Sequence, residues 1–186
     1  MLGLRTPGLG TIARVAFLAI PLFSWLAQPP AAVAHPMGNF SINHYAGIRV
    51  EAGRIEVRYL IDMSEIPTYQ EIQDNGIVPM VGDPSLRAYL AKEAKQLVGG
   101  LKLEVNGHVL RMETVSRDVI FPAGAGGLPT MKLGFVYRAS LESLSSGSAH
   151  YDVHYRDDNF AGRAGWKEIV VTAEPAAQLT RSESVV

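Results

Sequence analysis

The chain has 186 residues, a formal charge of −1, 47% hydrophobic residues and no cysteine, a composition that suits one globular domain and excludes a fibrous or disordered chain. Its 17 basic residues nearly cancel 18 acidic ones, so no overall positive field exists to hold a nucleic-acid backbone or an anionic bilayer. Without cysteine there are no disulfides, thiolate zinc sites, iron–sulfur clusters or thiol nucleophiles, and any metal must sit on nitrogen and oxygen.

Residues 1–34 read as a signal peptide. Arg5 and Arg14 precede an apolar stretch from Val15 to Ala27, and the small residues Ala32 and Ala34 place a cleavage site before His35. The apolar stretch is shorter than the roughly 20 residues a membrane-crossing helix needs, and Pro21 interrupts it. Export to the periplasm or another extracytoplasmic space follows; an uncleaved segment would instead tether the domain to the membrane. Residues 35–175 form the exported domain in this reading, with 15 basic and 18 acidic residues from His35 onward, and 176–186 a polar tail or linker.

Period-two alternation dominates that domain. Strands are expected over Phe40–Val50, Ile55–Met63, Leu101–Val105, Val109–Val115, Val119–Phe121, Met131–Ala139, Tyr151–Tyr155 and Trp166–Ala173. Asn106-Gly107 closes a hairpin, because both residues tolerate the positive φ of a type I′ turn. One segment departs from alternation. Asp83-Pro84 opens a helix over 84–98 whose apolar residues Leu86, Tyr89, Leu90, Ala94, Leu97 and Val98 share a face, and Gly99-Gly100 ends it. A shorter helical turn is expected over Tyr69–Gln73. The predicted fold is mainly β: an immunoglobulin-like β-sandwich of seven or eight strands with one inserted amphipathic helix.

Catalytic motifs are missing from the sequence: no nucleophile elbow, no HExxH and no distinctive carboxylate pair. The chain is therefore expected not to be an enzyme. Gly124-Ala125-Gly126-Gly127 reads as a loop, since a strand and not a helix follows it, and Asp74-Asn75-Gly76 reads as a turn. If cleavage exposes His35, its α-amine and imidazole form a chelate for nickel or copper, with Pro36 denying the ion a backbone amide nitrogen. Asp152 and His154 are a second candidate pair, side chains two apart on a strand lying about 6.6 Å from each other. The competing reading makes His150, Asp152 and His154 a solvated polar face opposite Tyr151, Val153 and Tyr155. His44 falls by alternation among Phe40, Ile42, Ala46 and Ile48, as a hydrogen-bonded core histidine, and His108 falls in an exposed turn. The charged, glycine-rich run after Tyr155 reads as a solvated loop whose Arg156, Asp157, Asp158, Arg163 and Trp166 offer a recognition surface, ordered by pairing of Arg156 with Asp157 or Asp158.

Four segments, HPMGNFSINHY (35–45), RYLIDMSEIPTYQEIQ (58–73), FPAGAGGLPTMKL (121–133) and YRDDNFAGRAGWKEIVV (155–171), together resemble the exported N-terminal region that precedes the membrane part of some bacterial nickel/cobalt efflux permeases. The resemblance implies an extracytoplasmic β-rich accessory domain attached to, or working beside, an exporter of divalent nickel or cobalt. The permease's membrane helices have no counterpart in these residues, so transport itself does not carry over. Two alternatives stand beside this: a free-standing periplasmic copper or nickel carrier using His35, and an adhesion-like sandwich recognising protein or glycan through the 157–167 loop.

Overall fold

The computed structural model describes residues 40–142, 144, 150–174 and 179–183. The chain divides at Pro36/Met37, and both the predicted signal segment and His35 lie outside the described residues. The elements run β1 (Ile42–Glu51), β2 (Arg54–Met63), α1 (Glu65–Asn75), α2 (Ser85–Gly99), β3 (Leu101–Val105), β4 (His108–Val109), β5 (Glu113–Ile120), β6 (Met131–Ser140), β7 (Val153–Asp157) and β8 (Lys167–Ala173). They build a mainly β fold of two sheets, in order β5-β6-β2-β1-β8 and β4-β3-β7, with helices inserted between the second and third strands. This is the expected β-sandwich with a helix, carrying a second helix where a single turn was expected.

Alternation fixes the five-stranded sheet. On β2, Ile55, Val57, Tyr59, Ile61 and Met63 are sealed from solvent, and so are Met131, Leu133, Phe135, Tyr137 and Ala139 opposite them on β6. Each such aliphatic side chain contributes about 1.5–3 kcal/mol relative to leaving it in water. β1 pairs antiparallel with β2 and parallel with β8, Ile48 lying between Val57 and Val171. The parallel pair needs a long connection, which β2 to β7, the two helices and their loops supply.

The inner face of the large sheet is covered by α2 and the three-stranded sheet. Leu86, Tyr89, Leu90, Ala94 and Leu97 of α2 are buried, and the Tyr137 hydroxyl donates to the Ala94 carbonyl at 3.0 Å, tying β6 to the helix. The Asp83 carboxylate accepts from the Ser85 amide at 2.9 Å and caps the helix as its sequence position suggested. Asp74-Asn75-Gly76 is the end of α1, where Gly76 at φ 60° turns the chain and donates to the Ile72 carbonyl. Asn106 (φ 51°) and Gly107 (φ 79°) form the expected left-handed turn between β3 and β4.

The expected strand over 109–115 is divided. β4 holds only His108 and Val109 before Leu110 to Met112 carry the chain across to the other sheet, where Glu113 begins pairing with Arg138. Pairing with β3 ends at Leu110, whose amide makes the last bond, to the Leu103 carbonyl, and Met112 is buried at the crossing. β5 then runs along an edge with a bulge between Thr114 and Ser116 and Val119 as its one buried residue, so alternation alone gives it little signal.

Candidate functional site

The strongest concentration of polar chemistry inside the fold joins the two sheets. His44 on β1 is 3% exposed, and its Nδ1 lies 2.6 Å from Oδ2 of Asp157, whose side chain at the end of β7 is also 3% exposed. The same Oδ2 accepts from the Tyr59 hydroxyl at 2.8 Å. A carboxylate only accepts, so Nδ1 carries the imidazole proton in this contact. Oδ1 accepts from the Asn159 amide at 2.8 Å, and the Asn159 side chain donates to the Tyr59 oxygen (3.2 Å) and the Leu97 carbonyl (3.0 Å). Phe160 closes the cluster with its ring edge-on to His44 at 5.4 Å.

Electrostatics follow from burial and these bonds. Burial alone would raise the Asp157 carboxyl, but bonds from His44, the Asn159 amide and Tyr59 outweigh it and hold its pKa below the usual carboxylate range. Burial, then the Asp157 charge, push the Tyr59 hydroxyl far above its ordinary value, so it remains a donor. Burial likewise raises Tyr155, whose hydroxyl is shielded and has no hydrogen-bond partner among the described residues.

This cluster pins the 158–166 loop from beneath. Lys167 Nζ donates to the Asp157 and Asn159 carbonyls at 2.8 and 2.9 Å. On the other side of the loop the Ile42 amide donates to the Ala164 carbonyl, the His44 amide to the Trp166 carbonyl, and the Trp166 amide to Oδ1 of Asn43. Gly165, at φ 145°, passes so near β1 that a Cβ there would lie 1.9 Å from the Ile42 oxygen, a position open only to glycine. What the anchored loop leaves outside is Trp166, 55% exposed, and Arg163, whose guanidinium donates to Gln70 of α1. Tyr69, beside Gln70, and Phe40, just before β1, are exposed as well.

The recognition-loop residues are thus sorted by depth. Arg156 pairs with Asp158 at 2.8 Å on the surface, while Asp157 is buried as an anchor and presents no surface to a partner. The reason is parity: Asp157 follows Val153 and Tyr155 on the inward side of β7, whereas His154 and Arg156 point out. Asp152 and His154 do come together, His154 Nε2 lying 3.3 Å from Asp152 Oδ2, but their side chains are 78% and 67% exposed. Among the described residues no three histidines, aspartates or glutamates are grouped so as to hold a metal ion. His108 is exposed in its turn, and His44 takes the core position that alternation indicated. In the 124–127 loop, the Ala125 amide is already occupied by the Glu65 carboxylate at 2.6 Å.

Among the described residues no helix is long and apolar enough to cross a membrane. In comparisons with known proteins no family model matches the chain, and neither a curated protein nor a solved structure does.

Proposed function

We propose that this chain is a non-catalytic extracytoplasmic accessory domain of nickel/cobalt efflux, a β-scaffold that contacts a membrane transporter through the loop between β7 and β8. The observation that carries the binding-module reading is the loop's anchorage. A His–Asp–Tyr–Asn network is spent on fixing a surface segment to both sheets, and what that segment displays is an exposed tryptophan and an arginine, residue types enriched where proteins bind one another. A preordered loop gives up little conformational freedom on binding. The sealed position of His44 and Asp157 also favours a bracing role for this histidine–carboxylate pair, since a substrate has no access to a 3%-exposed imidazole. The nickel/cobalt setting rests on the resemblance of the four segments alone.

The test is capture of a detergent-solubilised nickel/cobalt permease by the tagged exported domain, repeated with a Trp166→Ala/Arg163→Ala double variant. Retention by the native domain and loss in the variant at unchanged melting temperature support the reading. Absence of capture, or equal capture by the variant, contradicts it.

A second reading is a periplasmic nickel or copper carrier using the amino-terminal His35, with Asp152 and His154, 3.3 Å apart, as a further candidate pair. Titration with nickel separates the two: micromolar binding lost in His35→Ala supports the carrier, and absence of binding removes it.

A further inference from the structure

At the end of the large sheet remote from the β7–β8 loop, the outward face carries an arginine cluster that the account above does not use. Here Glu51 and Glu56 lie with side chains 4% and 7% exposed beneath four guanidiniums. Arg49 pairs with both, Arg54 with Glu51, and Arg58 and Arg138 with Glu56 at 3.3 and 3.2 Å. Four cations over two carboxylates leave two positive charges in excess within this cluster, reduced to one when Arg111, Glu113 and Glu142 of the adjoining cleft are included. Burial works to raise Glu56, but Arg138, Arg58 and Arg49 outweigh it and keep it ionised. The two carboxylates therefore act as a floor that fixes the guanidiniums in place.

Two of those guanidiniums have donors with nothing to bond. Among the described residues Arg49 Nε and Arg138 Nε are both shielded from solvent and without an acceptor, an unfavourable state for a buried donor, and of the two only Arg138 lines the cleft beside it. Beside Arg138 opens a cleft of about 470 Å³ whose charged and hydroxyl lining comprises Arg54, Arg111, Arg138, Thr114, Ser140, Glu113 and Glu142. That volume lies in the range of small-molecule sites. Among the described residues Arg111 makes no ion pair. Glu113 faces Arg138 in register across β5 and β6 yet makes no ion pair with it.

We propose that this cleft binds an oxyanion, a phosphate or carboxylate group held between Arg54, Arg111 and Arg138, with Glu51 and Glu56 positioning Arg54 and Arg138. A planar guanidinium fork matches such a group in a way a lysine would not. Glu113 and Glu142, which line the same cleft, oppose binding and restrict the site to anions that reach the arginines. The inference is independent of the transporter reading, because it concerns the other end of the sheet and a different ligand chemistry.

The oxyanion could be free in solution or the headgroup of a phospholipid, and the experiment distinguishes them. Calorimetric titration of the exported domain with inorganic phosphate and with citrate, against sodium chloride at equal ionic strength, reads the free anion; co-sedimentation with phosphatidylglycerol against phosphatidylcholine vesicles reads the headgroup. Arg111→Gln, which breaks no ion pair of the fold, is expected to weaken whichever response occurs by about tenfold or more, and Glu113→Gln to strengthen it. Phosphate, citrate or phosphatidylglycerol binding that shifts in these opposite directions supports the site. No response in any arm, or a response that Arg111→Gln leaves unchanged, overturns it.

Discussion

Replacing Asp157 by alanine removes the one acceptor on which the buried network converges. Three donors lose this acceptor together: His44 Nδ1 at 2.6 Å, the Tyr59 hydroxyl at 2.8 Å and the Asn159 amide at 2.8 Å, leaving His44 Nδ1 and the Tyr59 oxygen only each other, at 3.1 Å. A buried donor left unpaired costs about 1–3 kcal/mol, and losses within one network are not additive, so the expected destabilisation is about 3–5 kcal/mol. That is a large share of the 5–15 kcal/mol that holds a typical domain together, and for a domain of about 150 residues it corresponds to a fall in melting temperature of roughly 8–16 °C. Urea unfolding of Asp157→Ala beside Asp152→Ala measures it, the second being an exposed carboxylate expected to matter by less than about 0.5 kcal/mol. The pH dependence has a fixed sign. Because the folded pKa of Asp157 is depressed, its contribution is complete above the unfolded carboxyl value near 4 and is lost as pH falls through the lower folded value. The gap between native and Asp157→Ala should therefore be constant at neutral pH and narrow in acid. A loss below about 1 kcal/mol at pH 7, or a gap that widens on acidification, would refute the bracing role.

Other substitutions test the same physics at separate places. Tyr155→Phe deletes a shielded hydroxyl that has no partner among the described residues, so urea midpoints should be unchanged or rise, by up to about 1 kcal/mol; a loss of that size would show the hydroxyl to be bonded. Glu93 is buried on α2, and burial followed by the charge of Glu71 raises its pKa, so its ionisation opposes folding as pH rises through the carboxyl range. Glu93→Gln should accordingly stabilise the domain by about 1 kcal/mol at pH 7 and by nothing near pH 4, and equal stability at both values would refute this. Gly165→Ala places a methyl against the Ile42 carbonyl at φ 145°, with an expected cost of at least about 2 kcal/mol and a shift in Trp166 fluorescence. A native spectrum and melting temperature would mean the loop passes β1 less closely.

Much of this arrangement is legible in the residues themselves. The alternation of Ile55 to Met63 and of Met131 to Ala139 dictates which side of each strand is buried, and it puts His44 in the core by the same parity. Asp83-Pro84 and Asn106-Gly107 mark a helix start and a turn because their conformational preferences are local. Asp157 is another matter. Ending the strand at Tyr155 places Asp157 in a solvated loop, whereas two more residues of the same alternation turn it inward toward His44, 113 positions away. The need for such a partner could be inferred from a buried histidine, but which acid supplies it depends on how β7 docks against β1, and that is set by tertiary packing. The sheet change at Leu110–Met112 was hidden for a similar reason, since Val109 and Val115 share a parity that one continuous strand would also show. The arginine cluster was invisible because Arg49, Glu56 and Arg138 look like ordinary outward residues until the register β1–β2–β6 sets them side by side.

The central claim, that a braced loop presents a transporter-binding surface, is tested most directly by site-specific photo-cross-linking in cells producing both this chain and a nickel/cobalt permease. A photoreactive residue in place of Trp166 should yield a covalent adduct with the permease, and one in place of His108, exposed on the β3–β4 turn, should yield none. No adduct from position 166, or equal adducts from both positions, would contradict the account.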